Sequence, residues 1–292
     1  MRVKVLVDNI AGSPNAAANC NSSPNTAANC AGSKCTPLCG EWGLSVYIEF
    51  EGRRYLLDTG ASAHFAKNAA TMGVDLSKVD AAILSHAHYD HANGMAEFFG
   101  INSTAPFYLR KGAGENSYHT HKILGPIAYH EYIGIRRGFL KRFANRIRFA
   151  EGDAQIAPNV YLIPHKSSIA RAAHLSVKEN GKYRNDSFEH EQSLVFDTPE
   201  GLFVMNSCSH GGADNIMKEI AATFPGKKIY AMLGGFHLFR CSDEIVRAFA
   251  MRLRDLDVQK IYTGHCTGNR AFEILKEVLG ERAEQMFTGM TI

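Results

Sequence analysis

The feature that most constrains this chain is a six-residue string, His86-Ala87-His88-Tyr89-Asp90-His91, in which four side chains are typical metal ligands. It directly follows a predicted buried strand, Ala81 to Leu84, and it precedes Asn93-Gly94. In extended backbone, residues two apart point the same way, so His86 and His88 are expected to face one ion together. Asp90 and His91 come after the chain turns and can face a second ion. Imidazole and carboxylate ligands suit zinc, manganese or iron(II).

Two later histidines follow predicted strands at glycine-containing loops, and we predict both as further ligands. His210 lies in Ser207–Gly212, after the strand Leu202–Asn206, and His265 lies in Thr263–Gly268, after Lys260–Thr263. Strand ends that open into loops commonly carry functional groups. The alternative for each is a capping or substrate-contact histidine.

Several other side chains are candidates for supporting roles. His237 follows a third strand, and we predict that it contacts substrate or acts as an acid, with metal binding as the alternative. His190 and Cys208 are possible additional ligands, although Cys208 could equally be a buried structural thiol. Asp58 and Ser85 are predicted to fix the orientation of ligand rings by hydrogen bonds.

The order of predicted elements indicates the fold class. A hairpin is predicted at Leu44–Asp58, and strands alternate with helices after it and again after about residue 187. Two such halves packed sheet on sheet, with helices outside, give a four-layer α/β/β/α sandwich. We therefore predict a single domain over residues 1–292. Residues 105–185, rich in aromatic, histidine and basic side chains, are predicted as an inserted cap or lid.

Residues 11–39 differ in composition from the rest of the chain. They are rich in Ala, Asn, Ser and Gly, and Ser13–Cys20 is echoed by Ser23–Cys30. This composition predicts a low-complexity insertion loop. The alternative is a cysteine-bound metal or redox site, but Cys30, Cys35 and Cys39 lack the close pairing usual for zinc.

The bulk properties narrow the possible partners. Seven cysteines without a dense pattern favour a reducing, cytoplasmic setting. A net charge of +3 is too small to indicate nucleic-acid binding, and the sequence has no apolar run long enough to predict a membrane span. A homo-oligomer is possible. The basic run from Arg136 to Arg148 favours a small anionic substrate, with a solvated helix face or linker as the alternative.

The His-x-His-x-Asp-His string resembles the signature of the metallo-β-lactamase superfamily. Further motifs resemble its class II metal-dependent hydrolase branch, which includes proteins identified as dihydropterin–ribofuranosylaminobenzene phosphate synthases. These motifs are Trp42–Ser45, Leu56–Gly60, Ser207–His210, Gly234–Leu238 and His265–Gly268. The resemblance implies one ion on His86, His88 and His210 and another on Asp90, His91 and His265. It also implies the α/β/β/α fold, with metals at one edge.

The motifs and the resemblance together predict a metal-dependent hydrolase. One or two divalent ions, most simply zinc, would activate a water molecule that attacks a carbonyl or phosphoryl centre. Asp90 would both ligate and orient the nucleophile, and His237 would protonate the leaving group or hold the developing anion. Two alternatives stay open at this point: the synthase-type condensation, and a metal or redox sensor without turnover. A nuclease is disfavoured, because relatives of that kind carry a clear extra domain and a larger basic surface.

Overall fold

A computed structural model describes residues 1–12, 38–124, 127–166 and 174–292. Most of the predicted insertion loop of 11–39 lies outside these residues, as do Cys20, Cys30 and Cys35. The described part contains three β-sheets. The first has the spatial order β1 (Arg2–Val7), β2 (Ser45–Phe50), β3 (Arg53–Leu57), β4 (Ala81–Ile83), β5 (Phe107–Arg110) and β8 (Ile147–Ala150).

The second sheet faces the first. Its spatial order is β17 (Ala283–Gln285), β16 (Lys260–Thr263), β15 (Ile229–Gly234), β14 (Gly201–Met205), β13 (Gln192–Thr198), β10 (Val160–Pro164) and β9 (Ala154–Ala157). The strands β14 to β17 run parallel, so their carboxyl ends meet at one edge. In such sheets ligands bind beyond the carboxyl ends of the strands.

The alternation of side chains along the strands produces the four layers. In β2, Val46 and Ile48 pack between the two sheets, whereas Tyr47 points to the outer face. In β15, Ala231 and Leu233 face the first sheet, and Met232 packs outward. Successive strand residues point to opposite faces, so each sheet carries one core on each side.

Helices cover both outer faces. The outer face of the first sheet packs on residues of α1 (His64–Thr71), α3 (Met95–Ile101) and α4 (Phe139–Arg142), with the short α2 (Tyr89–Ala92) at the sheet edge. The second packs on α5 (Ala213–Thr223), α6 (Asp243–Asp255) and α7 (Asn269–Leu279). The predicted α/β/β/α sandwich is confirmed. Within the described ranges, no helix is long and apolar enough to cross a membrane.

A smaller third sheet contains β12 (Lys182–Asn185), β11 (Leu175–Glu179), β6 (Ser117–Leu124) and β7 (Ile127–Tyr132). The region 105–185, predicted as one cap, is thus divided: β5 and β8 complete the first sheet, and β9 and β10 belong to the second. Among the described residues of this region, only the four strands of the small sheet lie outside the two main sheets. Their position is tied to the histidine string, because the amide of Tyr89 donates to the carbonyl of Ile133 at 2.8 Å.

Candidate metal centre

The histidine string begins where β4 ends, and close packing fixes its path. The chain leaves the strand at Ser85, and α2 begins at Tyr89 directly after His88. Gly94 follows, and a Cβ atom there would lie 2.2 Å from the carbonyl oxygen of Thr59. Only glycine fits at this position, because the backbone of Gly94 lies directly against that of Thr59. This close contact holds the histidine string against the loop after β3.

Three imidazoles meet at the first part of the site. The ligand atoms of His86, His88 and His210 lie within 4.8 Å of one another, and all three residues are buried. Their Nε2 atoms have no hydrogen-bond partner among the described residues. Buried polar atoms are rarely left without a partner in folded proteins, so three such atoms directed at one point indicate a cation site.

The second part of the site contains Asp90, His91 and His265. Oδ2 of Asp90 lies 3.5 Å from Nε2 of His91 and 3.5 Å from Nε2 of His265. His265 reaches this point from the carboxyl end of β16 in the second sheet, whereas Asp90 and His91 come from the first. The structure thus brings together all six residues predicted as ligands.

Cys208 lies between the two groups. Its Sγ atom is 3.4 Å from Nε2 of His91 and 3.4 Å from Sγ of Cys266. Its ligand atom is also within 4.8 Å of those of His86 and His91. Burial raises the pKa of the Cys208 thiol. At Cys266, burial acts in the same direction but is outweighed by the Cys208 hydrogen bond and the His265 and His237 imidazoles, so its pKa is lowered.

The predicted supporting role of Asp58 and Ser85 has a clear geometric basis. The Ser85 hydroxyl donates to Oδ2 of Asp58 at 2.6 Å and lies 2.9 Å from Nδ1 of His86. Because its single proton goes to Asp58, the Nδ1–H of His86 must be the donor in the second contact. Nδ1 of His91 lies 2.8 Å from Oδ2 of Asp58. Both rings then present an Nε2 lone pair to the site, as metal-ligating histidines do.

A matching support for His265 comes from the residues directly after β1 and was missed in the sequence. The amide of His265 donates to Oδ2 of Asp8 at 2.9 Å, and its Nδ1 lies 3.1 Å from Oδ1 of Asn9. The Asn9 amide nitrogen donates to the His265 carbonyl, so its Oδ1 is the acceptor for the ring. Burial raises the pKa of Asp8 to about 7. No local sequence motif predicts the contact of Asp8 with His265, since more than 250 residues separate the two in the sequence.

Glu191 was also missed. It accepts hydrogen bonds from the amides of His210 and Gly211 at 2.8 and 2.9 Å and so fixes the loop that carries His210. Its neighbour His190 was predicted as a possible ligand, but both of its ring nitrogens have protein partners. Nδ1 accepts a hydrogen bond from the amide of Ala87 at 3.2 Å, and Nε2 lies 3.0 Å from Oδ2 of Asp186. His190 therefore supports the histidine string, and a ligand role would require it to leave one of these partners.

The electrostatics of the site favour a cation. Burial, with the neighbouring imidazoles, lowers the pKa of His86 and His210 and brings that of His88 to about 3, which leaves these rings neutral and able to ligate. Burial opposes the charge on Asp90, but the His91 imidazole outweighs it and lowers the pKa of that carboxyl. Burial likewise disfavours a charged His91, yet Asp90 and Asp58 raise its pKa to about 10. The carboxylates of Asp58 and Asp90 therefore favour a positive charge between them, on His91 or on a bound cation.

His237 lies beside the first group of ligands. Its ring centroid is 4.4 Å from that of His210, and its amide donates to Sγ of Cys266 at 3.3 Å. Its Nδ1 atom is buried and has no partner within the described residues. The backbone of His237 has a φ of 51°, a conformation uncommon outside glycine that accompanies functional geometry.

A cavity of about 1050 Å³ opens over the ligands. The small sheet forms its opposite wall. Of the basic run predicted to bind an anion, only Arg136 and Arg137 line this cavity, whereas Arg146 and Arg148 bond to backbone carbonyls elsewhere. A third arginine, Arg240, also lines it and was not predicted, because it follows the His237 loop without a basic neighbour.

The residues present fit a centre for one or two divalent ions. His86, His88 and His210 could hold one and Asp90, His91 and His265 another, with Cys208 available to either. The four layers, with this group of side chains at one edge of the sheets, are the arrangement of the metallo-β-lactamase fold.

Comparison with known proteins agrees with this class. Residues 43–151 match the sequence profile of the Metallo-beta-lactamase superfamily. It is 28% identical over 279 residues to a 7,8-dihydropterin-6-methyl-4-(beta-D-ribofuranosyl)-aminobenzene-5'-phosphate synthase of Methanocaldococcus jannaschii, covering 88% of this chain and 91% of that protein.

Two solved structures extend the comparison. Tm1679, described as a metal-dependent hydrolase of the beta-lactamase superfamily, superposes with a TM-score of 0.78 and 29% identity over 100% of this chain and 98% of its own. A diphosphatase from the PhnP family superposes with a TM-score of 0.52 and 14% identity over 100% of this chain and 96% of its own. The second similarity concerns the fold alone.

Proposed function

We propose that this chain is a metal-dependent hydrolase that acts on a small substrate bearing phosphate or carboxylate. The observation that carries the proposal is the pairing of two features across one cavity. Residues with unpartnered, buried ligand atoms, His88, His210 and His265, line this cavity, and Arg136, Arg137 and Arg240 line it too.

The metal would be held by the two groups of ligands, with zinc as the first expectation and manganese or iron as alternatives. A divalent ion in such a site lowers the pKa of water toward neutrality and polarises a substrate oxygen. Nitrogen and carboxylate donors with a nearby thiol are a set that zinc accepts readily.

The chain's own residues would perform the remaining steps. The Asp90 carboxylate would accept a hydrogen bond from the attacking water and orient it. His237, one ring nitrogen of which lies within 4.8 Å of the ligand atoms of Cys208 and His210, would donate a proton to the leaving group or hold the developing anion. Arg136, Arg137 and Arg240 would bind the anionic end of the substrate, since guanidinium groups pair well with phosphate and carboxylate.

A second candidate function is a synthase-type condensation, which is supported by the 28% identity over nine-tenths of the archaeal synthase's length. In that reaction a dihydropterin would lose an anionic leaving group from its 6-methyl carbon as that carbon bonds to the aminobenzene partner, which would release a proton. The same cation site would stabilise the departing anion, and water would have to be kept from the carbon. A sensor without turnover is the remaining alternative.

One experiment separates these functions. Metal-loaded protein is incubated with an aryl phosphodiester, a lactone and a thioester, and separately with a phosphate ester of 6-hydroxymethyl-7,8-dihydropterin plus ribofuranosylaminobenzene 5'-phosphate. Hydrolysis of a substrate in the first panel that is abolished by a chelator supports the hydrolase. Condensed product by mass spectrometry with no hydrolysis supports the synthase, and bound metal without turnover in either arm supports the sensor.

A matched pair of variants ties any turnover to this site. His88→Asn removes a predicted ligand and should lower kcat/KM on the order of 100-fold. His130→Asn removes a histidine of the small sheet that stacks on Tyr183 at 3.6 Å between centroids, and it should leave turnover unchanged. Equal activity in both variants would overturn the proposal. The cytoplasmic location and a homo-oligomer stay predictions, as does the absence of a nucleic-acid or membrane partner.

A further inference from the structure

A second group of metal-type ligands lies in the small sheet, away from the centre described above. His119 and His121 are two residues apart on β6, so their side chains share one face of the sheet. Glu131 on β7 is the direct cross-strand partner of His119. All three line the wall of the cavity.

Two short contacts link the ligand atoms of these residues through His121. Nδ1 of His119 lies 2.9 Å from Nε2 of His121, which lies 3.0 Å from Oε2 of Glu131. Adjacent ligand atoms around an octahedral ion with bonds of about 2.1 Å lie roughly 3.0 Å apart, and around a tetrahedral zinc they lie roughly 3.4 Å apart. Both observed distances therefore match the spacing of adjacent ligands around one cation.

Hydrogen bonding alone does not satisfy this arrangement. If Nε2 of His121 carries a proton and donates to Glu131, it has no lone pair for His119 and no second proton to give it. If Nε2 is unprotonated and accepts from Nδ1–H of His119, no proton lies between Nε2 and the Glu131 carboxylate, and these two electron-rich atoms repel each other. No neutral tautomer of His121 thus serves both contacts well, whereas one divalent ion bound by all three atoms would.

We propose that His119, His121 and Glu131 form an accessory binding site for a divalent transition-metal ion in the cavity wall. Two imidazoles and one carboxylate on adjacent strands make a three-ligand set that leaves coordination positions open. The carboxylate supplies one negative charge, so the bound ion would keep a net positive charge facing the cavity. Together with Arg240, that charge would attract the anionic end of a molecule held there. This last role rests on the proposed function, but the ion site itself does not.

The test counts bound metal in tag-free, full-length protein. After equilibration with excess Zn²⁺ and gel filtration, zinc is measured per chain in the wild type, in His121→Ala and in His130→Ala. His130 is the matched control, because it lies in the same sheet and outside the triad. We expect His121→Ala to bind one zinc ion fewer than the other two proteins, and Glu131→Gln to bind zinc at this site at least tenfold more weakly.

Two outcomes would overturn the accessory site. One is equal zinc content in wild type and His121→Ala. The other is a zinc-soaked crystal with an anomalous peak at the central ligands and none between His119, His121 and Glu131. Circular dichroism of His121→Ala serves as the control that the variant is folded. Since hydrolysis is not measured, failure of the proposed function leaves this result interpretable.

Discussion

Oδ2 of Asp58 lies 2.8 Å from Nδ1 of His91, and both side chains are completely buried. The same oxygen accepts from the hydroxyl of Ser85, which in turn contacts the ring of His86. One carboxylate therefore sets the orientation of ligands from both parts of the centre.

Asp58→Asn should weaken metal binding by about 10- to 100-fold without unfolding the chain, because the amide cannot accept from His91 and Ser85 as a carboxylate does. Asp58 has a φ of 58°, which asparagine tolerates, so the backbone is expected to persist. The measurement is competition for zinc against a chromophoric chelator. Asp80→Asn, at an exposed aspartate that accepts from the amide of Arg54, is the control. Unchanged zinc affinity in Asp58→Asn would refute the role.

His237→Asn should lower kcat by about 10²- to 10⁴-fold while metal content stays at the wild-type level, since the variant removes an acid and no predicted ligand. Asparagine is again suited to the positive φ at this position. Steady-state kinetics and metal analysis of the same preparation check this. If zinc is lost along with activity, His237 is a ligand and the assignment as an acid is wrong.

Arg136→Gln combined with Arg240→Gln should raise KM for a phosphate-bearing substrate about tenfold or more, with a smaller effect on kcat, because charge-assisted bonds to the anionic end are lost. Arg148→Gln is the matched control, since Arg148 bonds to the carbonyls of Asn145 and Ile147. An equal rise in KM in the control variant would show that general surface charge, and not this wall of the cavity, attracts the substrate.

Metal-free protein should form a disulfide between Cys208 and Cys266 on exposure to hydrogen peroxide, because their sulfur atoms lie 3.4 Å apart and both residues line the cavity. The two thiols lose two electrons and two protons, and peroxide is reduced to two water molecules. Peptide mapping detects the bond. Zinc-loaded protein should resist it if Cys208 is a ligand, and equal oxidation of both forms would argue for a thiol outside the metal centre. Cys266→Ser is the control.

The layered fold and the central ligands could be predicted because their signals are local. The alternating pattern of Ser45–Phe50 predicts a strand, and the string His86–His91 predicts a metal site, each within a few residues. The residues that were missed act through long-range contacts. Asp8 bonds to His265, which is 257 residues away in the sequence, and Arg240 lines the cavity together with residues of the small sheet, which are distant from it in the sequence.

The assignment of residues 105–185 to one cap shows a different limit. The strand Phe107–Arg110 has the composition of its neighbours, yet its parallel pairing with β4 and β8 places it in the main sheet. Tertiary packing decides which strands lie next to a short apolar strand, and a local sequence pattern does not predict those neighbours. The basic run from Arg136 was likewise divided between the cavity and backbone carbonyls.

The two facing sheets supply different ligands: the first contributes the string from His86 to His91, and the second contributes His210 and His265. An ion held by both would join the sheets at one edge, while the contact of Phe50 with Phe196 joins them at the other without any metal. Chelation should therefore speed amide hydrogen exchange around Ser85 and Ser207 and leave it slow near the two phenylalanines. The metal centre would then act as a removable cross-link between the two sheets, in addition to its proposed catalytic role.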